Sequence, residues 1–225
     1  TSSSNFPTTS GAYDTSFNGG EAFVSKLDSG LTSLSASTFL GGSGSDDAYA
    51  IAVGPTNVFI GGITHSSDFP ITSGAYDTSF GGSSEAFISK INTDLTNLKA
   101  STYLGGSLGE VVLTIVREPL NNVLFVSGYT ESTDFPTTNG YDTSHNGGKD
   151  IFVSKLSMTL DNLMNSTYLG GSNDEWDGRI AIDSNANVFV TGFTYSTDFP
   201  TTAGAYDDNL FFYYEIFVSK LDGNL

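Results

Sequence analysis

One phrase is written four times along this chain, and it limits the possible folds more than any other feature. The second copy is DFPITSGAYDTSFGGSSEAFISK, at Asp68–Lys90, and the others lie at Asn5–Lys26, Asp134–Lys155 and Asp198–Lys220. A second phrase, STFLGG or STYLGG, begins at Ser37, Ser101 and Ser166. Repetition of this kind indicates a series of equivalent structural units.

The repeat period identifies the kind of unit. The Lys that ends each copy stands at positions 26, 90, 155 and 220, so the steps are 64, 65 and 65 residues. This period is too long for a solenoid coil and suits an elaborated propeller blade. We predict an all-β fold of β-propeller-type blades, each with four antiparallel strands, in about 3.5 repeats of ~65 residues. The predicted units are residues 1–42 (half a blade, strands C and D), 43–106, 107–171 and 172–225 (a blade lacking its last strand).

Each unit contains four strand-like runs of β-branched and aromatic residues bounded by Gly, Asn, Asp and Pro. In the second unit the predicted strands A to D are Ala48–Val53, Val58–Ile63, Glu85–Ile91 and Leu98–Leu104. Runs such as IAV and VFI are apolar on both faces, which is typical of strands covered on both sides. Stacked blades cover both faces of a sheet, so the pattern favours a propeller over a sandwich.

The segments IAVGPTNVFIGG and IAIDSNANVFVTG, together with FVSKL and STYLGG, resemble the bacterial seven-bladed beta-propeller repeat family, the SBBP-type repeats. The resemblance covers essentially the whole chain in about three and a half copies. It implies extracellular or cell-surface proteins in which the propeller is a scaffold or interaction module. It brings no catalytic motif, and we therefore expect the chain not to be an enzyme.

The predicted strands number 2, 4, 4 and 3 along the chain, so both terminal blades are incomplete. Open blade edges and faces associate readily because their backbone groups and apolar side chains lack partners. We expect either a piece of a larger propeller, completed by flanking domains, or a subunit that assembles with copies of itself. In a self-assembly, strands A and B of one chain meet strands C and D of another, and the contact closes into a ring or grows into a filament.

Composition excludes some partners. The net charge is −17 with only 8 Lys and Arg residues, so a polyanion such as nucleic acid would be repelled. No apolar run is long enough for a membrane-spanning helix. Cysteine is absent, and the abundance of Ser, Thr, Gly and Asn favours an extracellular or surface location.

The loops after strands B and D should emerge on one face and gather acidic side chains there. Clustered Asp side chains are the hard oxygen ligands that calcium prefers. The candidate calcium ligands are Asp46, Asp47, Asp174 and Asp177. The alternative is that these residues only build turns by local hydrogen bonds.

Aromatic residues recur on the same predicted face. The candidate ligand-binding residues are Tyr76, Tyr141, Trp176 and Tyr206. They support an alternative function, a carbohydrate-binding or carbohydrate-active propeller. No catalytic triad signature or singled-out carboxylate pair accompanies them.

Three further features have competing interpretations. The Asp-Phe-Pro phrase either carries function or closes the blade edge with its Phe, and the latter is favoured. The repeated Lys either binds an anion or pairs with a carboxylate of the repeat. The last unit has a run of five large residues where the other copies have small ones, which either folds back over the open end of the last blade or, as we favour, forms a contact surface with a neighbouring chain or domain. Its members are Leu210, Phe211, Phe212, Tyr213 and Tyr214.

Overall fold

A computed structural model describes residues 1–208 and 213–225, and these residues form strands and loops without a helix. The thirteen strands in this part of the chain alternate up and down. They are β1 (Ala22–Leu27), β2 (Leu34–Leu40), β3 (Asp46–Val53), β4 (Asn57–Thr64), β5 (Glu85–Asn92), β6 (Leu98–Leu104), β7 (Glu110–Glu118), β8 (Val123–Thr130), β9 (Asp150–Ser157), β10 (Leu163–Leu169), β11 (Glu175–Ile182), β12 (Val188–Thr194) and β13 (Glu215–Leu221).

The strands form four antiparallel sheets whose spatial order follows the chain. Sheet I is β1–β2, sheet II is β3–β6, sheet III is β7–β10 and sheet IV is β11–β13. The prediction of propeller-type blades with 2, 4, 4 and 3 strands is confirmed for the described residues. Strands A and B of sheet II are longer than predicted, since they start at Asp46 and Asn57. The predicted unit limits themselves stay a prediction.

The turns explain why the strands end where they do. Between β5 and β6 the Asn92 side chain accepts hydrogen bonds from the Thr96 and Asn97 amides, both at 2.9 Å. Leu95 in this turn has a φ of 56°, a left-handed conformation that costs about 1–2 kcal/mol for a residue other than Gly. Its side chain is buried in the core, and that burial offsets the backbone cost. Leu160 repeats both features in sheet III.

Neighbouring sheets stack through strand A. β7 lies across β3, β4 and β5, and β11 lies across β7, β8 and β9. Three apolar clusters fill the spaces within and between the sheets, and the largest joins Phe59 and Ile88 of sheet II to Val112 and Ile115 of sheet III. We call each such sheet-to-sheet interface a seam.

The Asp-Phe-Pro phrase closes the blade edge, as its structural interpretation predicted. Phe69 is buried with its ring centroid 4.4 Å from that of Phe87. Asp68 accepts hydrogen bonds from the amide and hydroxyl of Ser43, at 2.8 and 3.0 Å. The loop after strand B is therefore hydrogen-bonded to the loop before strand A of the same sheet. Both loops lie at the same end of the sheet.

None of the described residues belongs to a helix that is long and apolar enough to cross a membrane.

Candidate functional site

The last sheet has an apolar face that its counterparts keep buried. In strand β13, Ile216 is 79% exposed and Val218 is 75% exposed. At the same repeat positions in β9, Ile151 and Val153 are fully buried, because sheet IV covers them. We call this surface of sheet IV, which also includes Phe189 of β12, the following face.

A complementary face is open at the other end of the stack. Ile51 of β3 is 59% exposed, whereas Ile115 at the same position of β7 is 6% exposed and packs against sheet II. Leu31 in the β1–β2 turn is 76% exposed, whereas Leu95 at the same position is 1% exposed. We call this surface the preceding face and define it by Leu31, Tyr49, Ile51 and Val53. The two open faces resemble the two sides of the complete seams between sheets II and III and between sheets III and IV.

The repeated Lys joins each sheet to the next one. Lys90 Nζ lies 2.9 Å from the carbonyl oxygen of Met158, and Lys155 Nζ lies 2.8 Å from that of Gly223. These acceptors lie in the turn that follows strand C of the next sheet. The predicted anion site and carboxylate pairing are thus replaced by a hydrogen bond across the seam. Lys220 stacks on the Phe189 ring at 5.4 Å but has no such carbonyl among the described residues.

Trp176 fills the seam between sheets III and IV at the end of the sheets where the long loops lie. It is the second residue of β11, and its ring centroid lies 5.2 Å from that of Tyr129 in sheet III. Lys149 Nζ lies 4.7 Å from the Trp176 ring and forms an ion pair with Glu131. An aromatic ring of one sheet therefore inserts into a pocket of the preceding sheet.

Sheet IV presents an aromatic version of the same pocket. Phe193, Tyr195 and Tyr214 occupy the positions of Tyr129, Glu131 and Lys149. Their ring centroids are 5.7 to 6.0 Å apart. A depression of about 560 Å³ adjoins them and is lined by Asn173, Asp174, Trp176, Phe193 and Tyr195. In sheet III the corresponding residues Tyr129 and Lys149 contact Trp176, the second residue of the next strand A.

The predicted ligand-binding residues do not form one surface. Tyr76 packs against the largest apolar cluster, and its amide donates to the Leu160 carbonyl at 2.8 Å. Tyr141 and Tyr206 are exposed on different loops, and of this group only Trp176 lines the depression.

The four predicted calcium ligands lie at two different sheets, Asp46 and Asp47 at the start of β3, Asp174 directly before β11 and Asp177 near its start. Asp46 is buried and accepts hydrogen bonds from the Gly42 amide at 2.8 Å and the Ser66 hydroxyl at 3.0 Å. Asp47 is exposed, and Asp177 lies 3.8 Å from Arg179. Within residues 1–208 and 213–225 no group of three or more acidic or His side chains has the geometry to hold a metal ion. Calcium binding stays a prediction.

The predicted contact run in the last unit is only partly described. Leu210, Phe211 and Phe212 lie outside the described residues. Tyr213 and Tyr214 are exposed, and Tyr214 belongs to the aromatic trio beside the depression.

Sequence reasoning missed a pair of buried acids at each seam. One acid begins strand C, or directly precedes it in the case of Glu21, and the other begins strand A of the next sheet. The pairs are Glu21 with Asp46, Glu85 with Glu110, and Asp150 with Glu175. A Cβ atom on Gly170 would lie 2.5 Å from both Asp150 Oδ1 and Glu175 Oε2. The spacing of the repeat could have revealed these pairs. An acidic residue stands five positions after the first Gly of each LGG, and another stands five positions before each repeated Lys.

A comparison with known families agrees with this architecture. Residues 165–200 match the model of the SBBP family, described as a beta-propeller repeat. The chain carries an SBBP-type beta-propeller repeat. The match begins in β10, crosses the seam between sheets III and IV and ends after β12. No curated protein matches the chain.

Proposed function

We propose that this SBBP-repeat chain is a non-catalytic structural module, extracellular or on the cell surface, that assembles through its two open faces. The observation that carries the proposal is the exposure of Ile51 and Ile216 at positions that are buried inside the stack. Large exposed apolar patches mark interaction sites. The internal seams supply the template for what covers them.

The partner that fits best is a second copy of the same chain, joined head to tail. The following face of one copy lacks a strand A, and β3 of the next copy presents one with a bare face. A seam built this way also gives Lys220 the turn carbonyl that Lys90 and Lys155 already have. The contact is heterologous, so it forms a ring or a filament according to its rotation.

Strand exchange makes the joint feasible. The sequence from Glu21 to Leu27 is EAFVSKL and that from Glu215 to Leu221 is EIFVSKL, so the two strands C differ at one position. In a joined pair of chains, β1 of one copy and β13 of the other would compete for the same strand C position. If β13 takes that place, it displaces β1 and replaces Lys26 by Lys220, and β11, β12 and β13 of one copy combine with β2 of the next into a complete four-stranded blade.

Light scattering combined with size-exclusion chromatography over a range of concentrations tests this function. The wild-type chain should form particles heavier than one chain. Ile51→Lys should weaken the association at least about tenfold, because burying an Ile side chain contributes about 1.5–3 kcal/mol. Leu120→Lys is the matched control, since Leu120 is exposed in the β7–β8 turn and belongs to neither face. A compact, stable monomer at all concentrations would refute self-assembly.

A second candidate function is carbohydrate binding at the aromatic depression. Trp176, Phe193 and Tyr195 present rings beside the polar side chains of Asn173 and Asp174, a combination suited to stacking on a sugar. A glycan screen followed by calorimetry would detect this activity. Binding that is lost in Tyr195→Ala while self-association persists would favour it over the structural role.

A further inference from the structure

The seam between sheets II and III encloses two carboxyl groups that face each other. Glu85 begins β5 and Glu110 begins β7, and both residues are at most 1% exposed. A Cβ atom placed on Gly105 would overlap Oε2 of both residues. The two oxygens therefore approach each other across a space that only Gly leaves free.

One oxygen of each carboxyl group is satisfied, and the other is not. Glu85 Oε1 accepts a hydrogen bond from the Gly81 amide at 2.7 Å. Glu110 Oε1 accepts one from the Thr130 hydroxyl at 2.7 Å and another from the Ser132 hydroxyl. Glu85 Oε2 and Glu110 Oε2 are buried and neither has a hydrogen-bond partner with good geometry, although the nearby Gly106 amide opposes the rise in the pKa of Glu110. Leaving two such atoms unpaired and charged would be very costly.

The groups that act electrostatically on the pair are anionic or neutral. Burial, together with the charge of Glu110 and of Asp77 in the loop before β5, raises the pKa of Glu85 to about 7. Burial and Asp134 raise the pKa of Glu110. On β6 the phenol of Tyr103 is neutral, because burial and Glu85 raise its pKa to about 12.

We propose that Glu85 and Glu110 bind one proton between their Oε2 atoms and that this shared proton holds sheets II and III together. A proton needs only these two oxygens, whereas calcium takes six to eight oxygen ligands. The carboxyl–carboxylate hydrogen bond satisfies both unpaired atoms and leaves one negative charge in the seam instead of two. The device is independent of self-assembly, since the seam lies within one chain.

The sign of the pH effect follows from the direction of the shift. The folded seam holds its proton up to about pH 7, whereas the ordinary pKa of Glu is 4.5. The stabilisation is thus complete below about pH 4.5 and is lost as the pH rises through about 7. Between these values the unfolding equilibrium constant should rise up to tenfold per pH unit because of this pair.

Infrared difference spectroscopy detects the proton directly. The wild-type chain should show the carbonyl band of a buried carboxylic acid at pH 6 that disappears by pH 9. Glu85→Gln/Glu110→Gln should lose this pair's share of the band and keep any share from the buried pair Asp150 and Glu175, whose pKa values burial also raises. Glu118→Gln should keep the whole band, because hydrogen bonds from Asn121 and Leu120 outweigh burial and lower the pKa of Glu118, so that residue is ionised at pH 6. The single variants Glu85→Gln and Glu110→Gln serve if the double variant does not fold, and each should shift the band's disappearance to lower pH.

Urea unfolding at pH 5 to 9 gives the second readout. The wild type should lose stability over this range relative to the double variant, and the difference should level off above the folded-state pKa. A band of undiminished intensity in the double variant, or a wild-type band already absent at pH 6, would overturn the proposal. So would a stability difference that does not depend on pH.

Discussion

The same substitution, made at one repeat position in two different copies, should lower the free energy of unfolding by very different amounts. Ile151→Ala removes a buried side chain whose methyl groups occupy the space left by Gly178 and Gly192 of sheet IV. Buried Ile→Ala substitutions lower the free energy of unfolding by about 2–5 kcal/mol. Ile216→Ala changes the same residue type in the same IFVSKL context but on an open face, and should cost less than about 0.5 kcal/mol in dilute solution.

Urea unfolding followed by Trp176 fluorescence measures both variants. Trp176 is the only Trp in the chain, and it lies at the seam that Ile151 fills. The experiment is run at a concentration where the chain is monomeric and again where it associates. The cost of Ile216→Ala should increase with association, because a partner then covers the side chain. Equal costs for the two variants in the dilute monomer would show that the following face is not open and would refute the reasoning.

Two further predictions concern single contacts. Lys155→Met should lower the free energy of unfolding by about 1.5–3 kcal/mol, because it removes the charged hydrogen bond to Gly223. Amide hydrogen exchange should also become faster in residues 222–225. Lys99→Met, at an exposed site, is the control and should change neither quantity. Tyr103→Phe should lower the free energy of unfolding by about 1 kcal/mol, because it removes the hydroxyl that donates to the Ser66 carbonyl. In ultraviolet spectra the wild-type phenol should stay protonated up to about pH 12. Unchanged exchange in the first case, or normal phenol titration in the second, would contradict these assignments.

The fold was predictable because periodicity and turn chemistry are local. The repeated runs of β-branched and aromatic residues located the strands of all four sheets, and strand C of sheet II began at Glu85 as expected. The starts of β3 and β4 were misplaced by one or two residues, since Asp46 and Asn57 are polar and are typical of turns. The pairing of these residues depends on their neighbours across the sheet.

The site was less predictable because its contacts span whole repeats. Lys155 reaches a carbonyl oxygen 68 residues away, and nothing in its own segment specifies that acceptor. Tyr76 was expected on a ligand surface, but the Leu160 turn of the next sheet covers it. Asp46 was expected to bind calcium, but neighbouring Gly and Ser donors satisfy its carboxylate inside the seam.

The match to residues 165–200 shows that the sequence motif and the folded sheet are out of phase. The motif contains most of strand D of one sheet and strands A and B of the next. A gene that gains or loses one motif therefore gains or loses one seam, together with strand D before it and strands A and B after it. Lengthening by whole repeats of about 65 residues would preserve the stacking order, because each insertion then supplies strands A, B, C and D once.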